Sequence, residues 1–343
     1  MVFVVMMASL ALGIAAAQEY YPIEVKGKVG YVDEQYHLVI APKYDDGYFG
    51  QNGYARVKLN GRWGFVNVSS RTETFFNYEI VSDLSDGYAI KRDNKTGLMG
   101  FVDIHGHAII DNLYDARPFS EGRAAVKDKD GWTYIDTKGQ LVFPRKRFEE
   151  ARQFKDGVAV IKIYGLYGVI DGKGYYLTKP IYKSMGEYFG NGLCYAVMTE
   201  TAHNRSGFVD ENGNMVVNIK AAYAIPYDEG FSIIGVGKEP FLKWSVIDTT
   251  GKLIVGQIKD LVDVGYFVNG IANATLRDDK GNFRSGYICA NGNMLIKPQF
   301  DVAQPFVDGV GRVFNDSKRV AFVDTHGRII DVNGIIAAGI YDK

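Results

Sequence analysis

The sequence is poor in cysteine and proline, carries almost no net charge, and beyond its first residues has no long apolar run. Two cysteines, Cys194 and Cys289, stand in 343 residues. They fall in different copies of the repeat described below, so a disulfide framework is excluded and both are expected as isolated core thiols. The 39 basic and 40 acidic side chains leave a net charge of −1, and the longest basic run is Arg145-Lys146-Arg147. That excludes nucleic-acid binding driven by counterion release and a polybasic lipid anchor. No segment after residue 17 approaches the roughly 20 apolar residues of a membrane span.

What is abundant is glycine, at 40 residues, with 23 tyrosines and 20 phenylalanines beside only nine prolines. So much apolar and aromatic surface excludes disorder. The glycines exclude a coiled coil, since each costs about 1 kcal/mol inside a helix. Glycine with Tyr, Phe and Val is the composition of short strands joined by tight turns.

Met1–Ala17 is apolar, uncharged and ends in Ala15-Ala16-Ala17. It reads as a signal peptide cut near Ala17, although it lacks a basic first region; the alternative is a retained anchor. Residues 18–343 are then one repeat domain, secreted or held in the periplasm or cell envelope, with no membrane span in the mature chain.

A four-residue block of a small residue, an aromatic or β-branched residue, Val or Ile, and Asp recurs. Its copies start at Gly30, Gly64, Gly100, Thr133, Gly168, Gly207, Ser245, Gly286 and Ala321, about 33 to 41 residues apart. Seven copies have glycine six residues after the start: Gly106, Gly139, Gly174, Gly213, Gly251, Gly292 and Gly327. A Tyr or Phe often lies about 14 residues after the start, as at Tyr44, Tyr78, Tyr114, Phe148, Tyr182 and Phe300. An F-x-x-G stretch precedes the next copy, as at Phe119–Gly122 and Phe154–Gly157. Each unit reads as a three-stranded meander: a strand after F-x-x-G, a strand holding the block, a D-x-x-G turn, and a third apolar strand. Asp103, Asp136, Asp210 and Asp324 open such turns, where the carboxylate bonds turn amides and the closing glycine supplies positive φ. The small residues Gly64, Gly100, Gly168, Gly207 and Gly286 imply close packing on the strand backbone. Bulky residues precede them or their equivalents, Trp63, Trp132 and Trp244 among them. A ring of a neighbouring unit lying over the small site would explain the pairing.

Gly61 followed by Trp63-Gly64-Phe65-Val66-Asn67, with Tyr44-Asp45 upstream, resembles the WG-repeat family of bacterial repeat proteins. Literal Trp-Gly occurs once; Trp132-Thr133 and Trp244-Ser245 are near variants. The resemblance runs from about Lys26 to Asp331. It implies a β-repeat array used for binding or scaffolding, and it carries over no catalytic residue.

Candidate chemistry is sparse. His105 and His326 occupy equivalent turn positions, and His105, His107 and Asp103 form the one local cluster with metal-ligand character. One aspartate per turn supplies too few oxygens for a calcium ladder. There is no nucleophile elbow, zinc-protease helix or phosphate loop; a pair of carboxylates assembled in space for glycoside cleavage stays open. Tyr48, Tyr54, Tyr88, Tyr164, Tyr175, Tyr188, Tyr195 and Tyr266 fall outside the template and suit stacking on sugars or anchoring a protein.

The expectation is an all-β tandem array of about nine three-stranded meander repeats, open and curved or superhelical, with a closed propeller-like ring as alternative. The expected function is non-catalytic binding or scaffolding of a protein or an envelope glycan, with no cofactor, metal or nucleic acid. The alternative is a carbohydrate-active enzyme or its substrate-capture subunit.

Overall fold

The computed structural model describes residues 20–331 apart from 34–36, 52, 199–205, 239–241, 307–309 and 316–317. The signal segment expected at Met1–Ala17 and His203 lie outside the described residues. Every element described is a β-strand, and among the described residues no helix is long and apolar enough to cross a membrane.

The strands form eight antiparallel sheets in strict chain order. Seven sheets hold one block each. The eighth, of seven strands, holds the blocks at Gly168 and Gly207, because the long strand Tyr176–Met185 pairs with a neighbour on either side. The expected meander is the body of each unit. Five sheets are four-stranded, the added strand coming from what the sequence offers only as a connection. Glu79–Ile80 is such a strand, of two residues. The unit at Thr133 departs the other way. Leu141–Phe143, expected as its third strand, pairs with the block strand only as an isolated Ile135–Leu141 bridge, with Phe143 packed on Tyr134.

The small residue opening each block has a cause different from the expected one. At Gly30, Gly100, Gly168 and Gly286 the ladder to the next strand skips a residue, a β-bulge. A carbonyl oxygen from ten residues further on comes up against the glycine both at these bulges and where, as at Gly64, the ladder runs regular. A Cβ at Gly168 would stand 2.7 Å from the Thr178 oxygen, and at Gly64, Gly100, Gly207 and Gly286 it would overlap the oxygens of Thr74, Ile110, Val217 and Ile296. The unit's own chain fills the site, chiefly its backbone, with the Phe75 ring of the same unit beside Gly64. Side chains of the preceding unit cover a different glycine, the one that closes the D-x-x-G turn. Phe143 lies 2.9 Å from a Cβ built at Gly174, and Leu295 3.1 Å from one at Gly327.

The second block position supplies the core. Tyr31, Phe65, Phe101, Tyr134, Phe208, Tyr287 and Phe322 are all buried. Each pairs forward where the next unit offers a ring: Phe101 on Phe119 at 4.8 Å, Tyr134 on Phe154 at 4.8 Å, Phe208 on Tyr227 at 4.6 Å, Tyr287 on Phe306 at 4.7 Å. Where the residue is tyrosine, its hydroxyl donates to a carbonyl just before the next unit's F-x-x-G turn. Tyr31 donates to Tyr48, Tyr134 to Arg152, Tyr287 to Gln304, at 2.6–2.8 Å. The apolar clusters follow suit, each joining consecutive units. One runs from Ile90 to Ile135, the next from Ala125 to Ile170 and a third from Val158 to Val209. No unit buries its own face alone, as in other repeat arrays.

A polar relay runs beside this core. The F-x-x-G stretches end in two successive left-handed residues, such as Glu121 (φ 53°) and Gly122 (φ 71°). Asp86 Oδ2 accepts the Gly122 amide at 2.7 Å, and Glu121 Oε2 accepts the Gly157 amide at 3.0 Å. Asn191 serves Gly230 and Asp228 serves Gly270 in the same way. In these four pairs one turn anchors the next.

The two ends of the array meet. The Arg312 guanidinium of the last sheet lies 5.6 Å from the Tyr48 ring centroid in the second. No described strand of the last sheet pairs with the first. The array curves back on itself, and among the described residues its ends meet through side chains without strand pairing.

Candidate functional site

The turn aspartates spend their carboxylates on backbone. Asp103 Oδ1 accepts the amides of His105 and His107 at 2.8 Å, and Asp136 those of Lys138 and Gln140 at 2.9 Å. Asp210 accepts from Asn214, and Asp324 from His326 and Arg328. The closing glycines sit near φ +80°, for example Gly213 at 80° and Gly327 at 76°. His107 Nδ1 lies 2.9 Å from Asp103 Oδ2, and the His105 and His107 rings are exposed, 6.0 Å apart. Partial burial works to raise the carboxyls of Asp103 and Asp324, but the amides of His107 and Arg328 more than offset it and hold both below the ordinary carboxylate range. Thr250 holds Asp248 down, and Asn282 holds Asp278 down. A carboxyl whose folded pKa is depressed stabilises the fold fully above the unfolded value, near 4, and loses that contribution as the pH falls through the depressed values. Thermal melts across pH should therefore show a level Tm from pH 7 to about 5 and a fall below about pH 4. A Tm that rises on acidification would refute this.

Both cysteines are free thiols. Burial pushes Cys194 up to about 12 and also raises Cys289.

The most densely bonded polar cluster lies where three successive units come together. Arg152, 8% exposed, bonds Glu150 at 2.8 Å and stands 3.5 Å from Glu187. It caps the carbonyls of Met185 (2.9 Å) and Gly186. Arg117 pairs with Glu187, faces Glu150 at 3.9 Å and lies over the buried Trp132 ring at 5.5 Å. Tyr167 donates to Glu150 at 2.9 Å. Burial alone would raise the Glu150 carboxyl, but Arg152 and the Tyr167 hydroxyl hold it below its ordinary value. Sequence reasoning missed this cluster. A signal was present: Ala116-Arg117-Pro118-Phe119 and Ala151-Arg152-Gln153-Phe154 repeat the same A-R-x-F in successive copies.

The literal Trp-Gly copy borders a cleft of about 390 Å³ between the second and third sheets, lined by Lys58, Gly61, Arg62, Trp63, Phe76, Asn77, Tyr78, Glu79 and Asn94. The hairpin Tyr54–Leu59 and Arg62–Asn67 supplies one wall; the segment leading into Glu79–Ile80 supplies the other. Arg62 ties the two by donating to the carbonyls of Phe75 and Phe76 at 3.2 and 3.4 Å, and the Phe76 amide donates to Trp63. Asn94 Nδ2 donates to the Asn77 carbonyl at 3.0 Å. Tyr78 stacks on Phe76 at 5.1 Å, and its buried hydroxyl, with no hydrogen-bond partner, is pushed up to about 12 by burial with Asp103 and Asp111 nearby. Glu79 is paired with Arg92 at 3.3 Å. Lys58 Nζ lies 5.3 Å from the Trp63 ring. Trp132 and Trp244 are buried in the core, whereas Trp63 is half-buried.

The tyrosines outside the template divide. Tyr195 is tied into the sheet interface through the Ala221 carbonyl, and Tyr88 packs on Phe119. Tyr48 is held under Arg56 at 3.8 Å. Tyr188 packs beside Tyr266 at 6.2 Å, with Lys155 over its ring at 4.2 Å. Tyr164 and Tyr175 stand out into solvent, and Tyr266 is exposed.

Among solved structures, the chain is similar to the β-propeller domain of the Trilobed protease from Pyrococcus furiosus, at 12% identity and TM-score 0.39, covering 79% of this chain and 95% of that one. It is similar to apo AztD from Citrobacter koseri at 14% identity and TM-score 0.39, covering 92% and 93%. It is also similar to Hsv2 from Kluyveromyces marxianus at 10% identity and TM-score 0.36, covering 83% and 90%. No curated protein matches it in sequence. The family model of the WG containing repeat matches at four places, residues 30–69, 99–132, 132–167 and 286–318. All four segments take in block strands, those at Gly30 and Gly64, at Gly100, at Thr133 and at Gly286, and over these stretches the chain is similar to the WG containing repeat.

Proposed function

We propose that this is an exported, non-catalytic binding and scaffold protein whose partner is a protein or an envelope glycan. One observation carries the reading: the cleft beside Trp63 joins aromatic ring faces to amide and charged groups, the mixture that orients a bound ligand. The repeated aspartates and block glycines are used by the scaffold, the aspartates in turns and the glycines beneath a strand carbonyl. The enzymatic alternative needs two carboxylates free to exchange protons. Glu150 and Glu187 come together, but arginines hold both.

The test is retention of envelope glycans on an array and of envelope proteins in a pull-down, with the native chain and with Trp63→Ala. Binding is expected to fall at least tenfold in the variant while the thermal melt still shows a folded chain. Equal binding by both would overturn the cleft as the site; hydrolysis of an arrayed glycan would overturn the non-catalytic reading.

A further inference from the structure

We infer that the Trp63 cleft takes an acidic saccharide, a sugar unit bearing a carboxylate; the inference rests on the cleft being a binding site. The chain as a whole is neutral to within one charge, but the cleft is not. Its lining holds Lys58, Arg62 and Glu79. Glu79 is already neutralised by Arg92. Lys58 and Arg62 form no ion pair among the described residues; the Lys58 ammonium faces only the Trp63 ring, and Arg62 meets only backbone carbonyls. Two cations with no carboxylate partner lining one cleft favour an anion, and guanidinium and ammonium groups each suit a carboxylate. The rest of the lining argues for sugar over peptide. The half-buried Trp63 ring and the Phe76–Tyr78 stack give the cleft an apolar aromatic border against which the C–H groups of a pyranose can pack. The amides of Asn77 and Asn94 and the Glu79 carboxylate offer the mixed donors and acceptors that ring hydroxyls require. A volume of about 390 Å³ lies in the range of small-ligand sites and accommodates one or two sugar units of a longer chain.

The experiment is calorimetric titration of the full chain with an oligogalacturonate, with its methyl ester, which removes the charge and adds one methyl group per unit, and with an oligoglutamate. Tryptophan emission is followed in parallel. Because Trp132 and Trp244 are buried, emission from the half-buried Trp63 reports the cleft, and Trp63→Phe removes that signal. The oligogalacturonate is expected to bind, to change the emission, and to weaken at least tenfold on esterification. Lys58→Gln should weaken it about tenfold and leave the thermal melt unchanged. Equal binding of the ester with the same emission change would overturn the acidic class and leave the cleft standing. Equal or tighter binding of oligoglutamate would overturn the saccharide in favour of acidic peptide. Oligogalacturonate binding with no emission change and no effect of Lys58→Gln would place the site elsewhere and overturn both readings. No binding by any probe would overturn this inference alone, since the array and pull-down test the cleft independently.

Discussion

Gly100→Val should lower Tm by about 4 °C or more, the equivalent of about 3 kcal/mol in a chain of this size. The new Cβ would overlap the Ile110 carbonyl oxygen and the Asp111 carboxylate, and would approach Lys91 Cε to 3.0 Å. Lys91 can swing aside and Asp111 can give up its ion pair with it. The Ile110 carbonyl cannot move, because the bulge that places it also sets the register of Ala108–Leu113 on Met99–Val102. Relief would require the strands to part, and with them Phe101, which is fully buried against Phe119. Gly256→Ala is the matched control. A Cβ there meets nothing within 4 Å, and its Tm should stay within about 1 °C of the parent. An unchanged Tm for Gly100→Val would sink the bulge account.

Arg152→Ala should cost about 3 kcal/mol, the low end of the range for breaking a buried ion pair, because Glu150 and Glu187 retain solvent contact. Four acceptors depend on this guanidinium: two carboxylates and the carbonyls of Met185 and Gly186. Arg152→Lys keeps the charge but loses the planar fork, so it should recover less than half of the loss. The damage should be local. Amide exchange should speed up in Val158–Ile163 and Cys194–Met198 before it does in the sheets near the two ends, since the arginine joins three adjacent units and touches no others. Uniform acceleration along the whole chain, or an alanine variant as stable as the parent, would contradict this.

The sequence was legible where the cause is local. Asp103 and Gly106 close their turn within four residues, and the D-x-x-G spacing is the turn itself. It was half legible at Gly100. The need for a small residue shows in the pattern, but the atom that imposes it belongs to a strand ten residues on, displaced by a bulge that no composition marks. The added strands were missed because two residues, as in Glu79–Ile80, carry no periodicity. The cleft was missed in part because Asn77 and Asn94 belong to no motif and meet only after two sheets pack. Arg117, Arg152 and Glu187 are set about one repeat apart, a distance over which sequence shows recurrence but not contact.

The forward pairing of block aromatics with the next unit's ring bears on how the chain is made. Each apolar cluster closes over residues about one repeat apart, so contacts stay short in sequence although the protein is all β. A ribosome releasing the chain from its N-terminus delivers every unit beside a docking face that is already finished. Folding can then advance one sheet at a time during synthesis, leaving a single sticky edge exposed at the growing end.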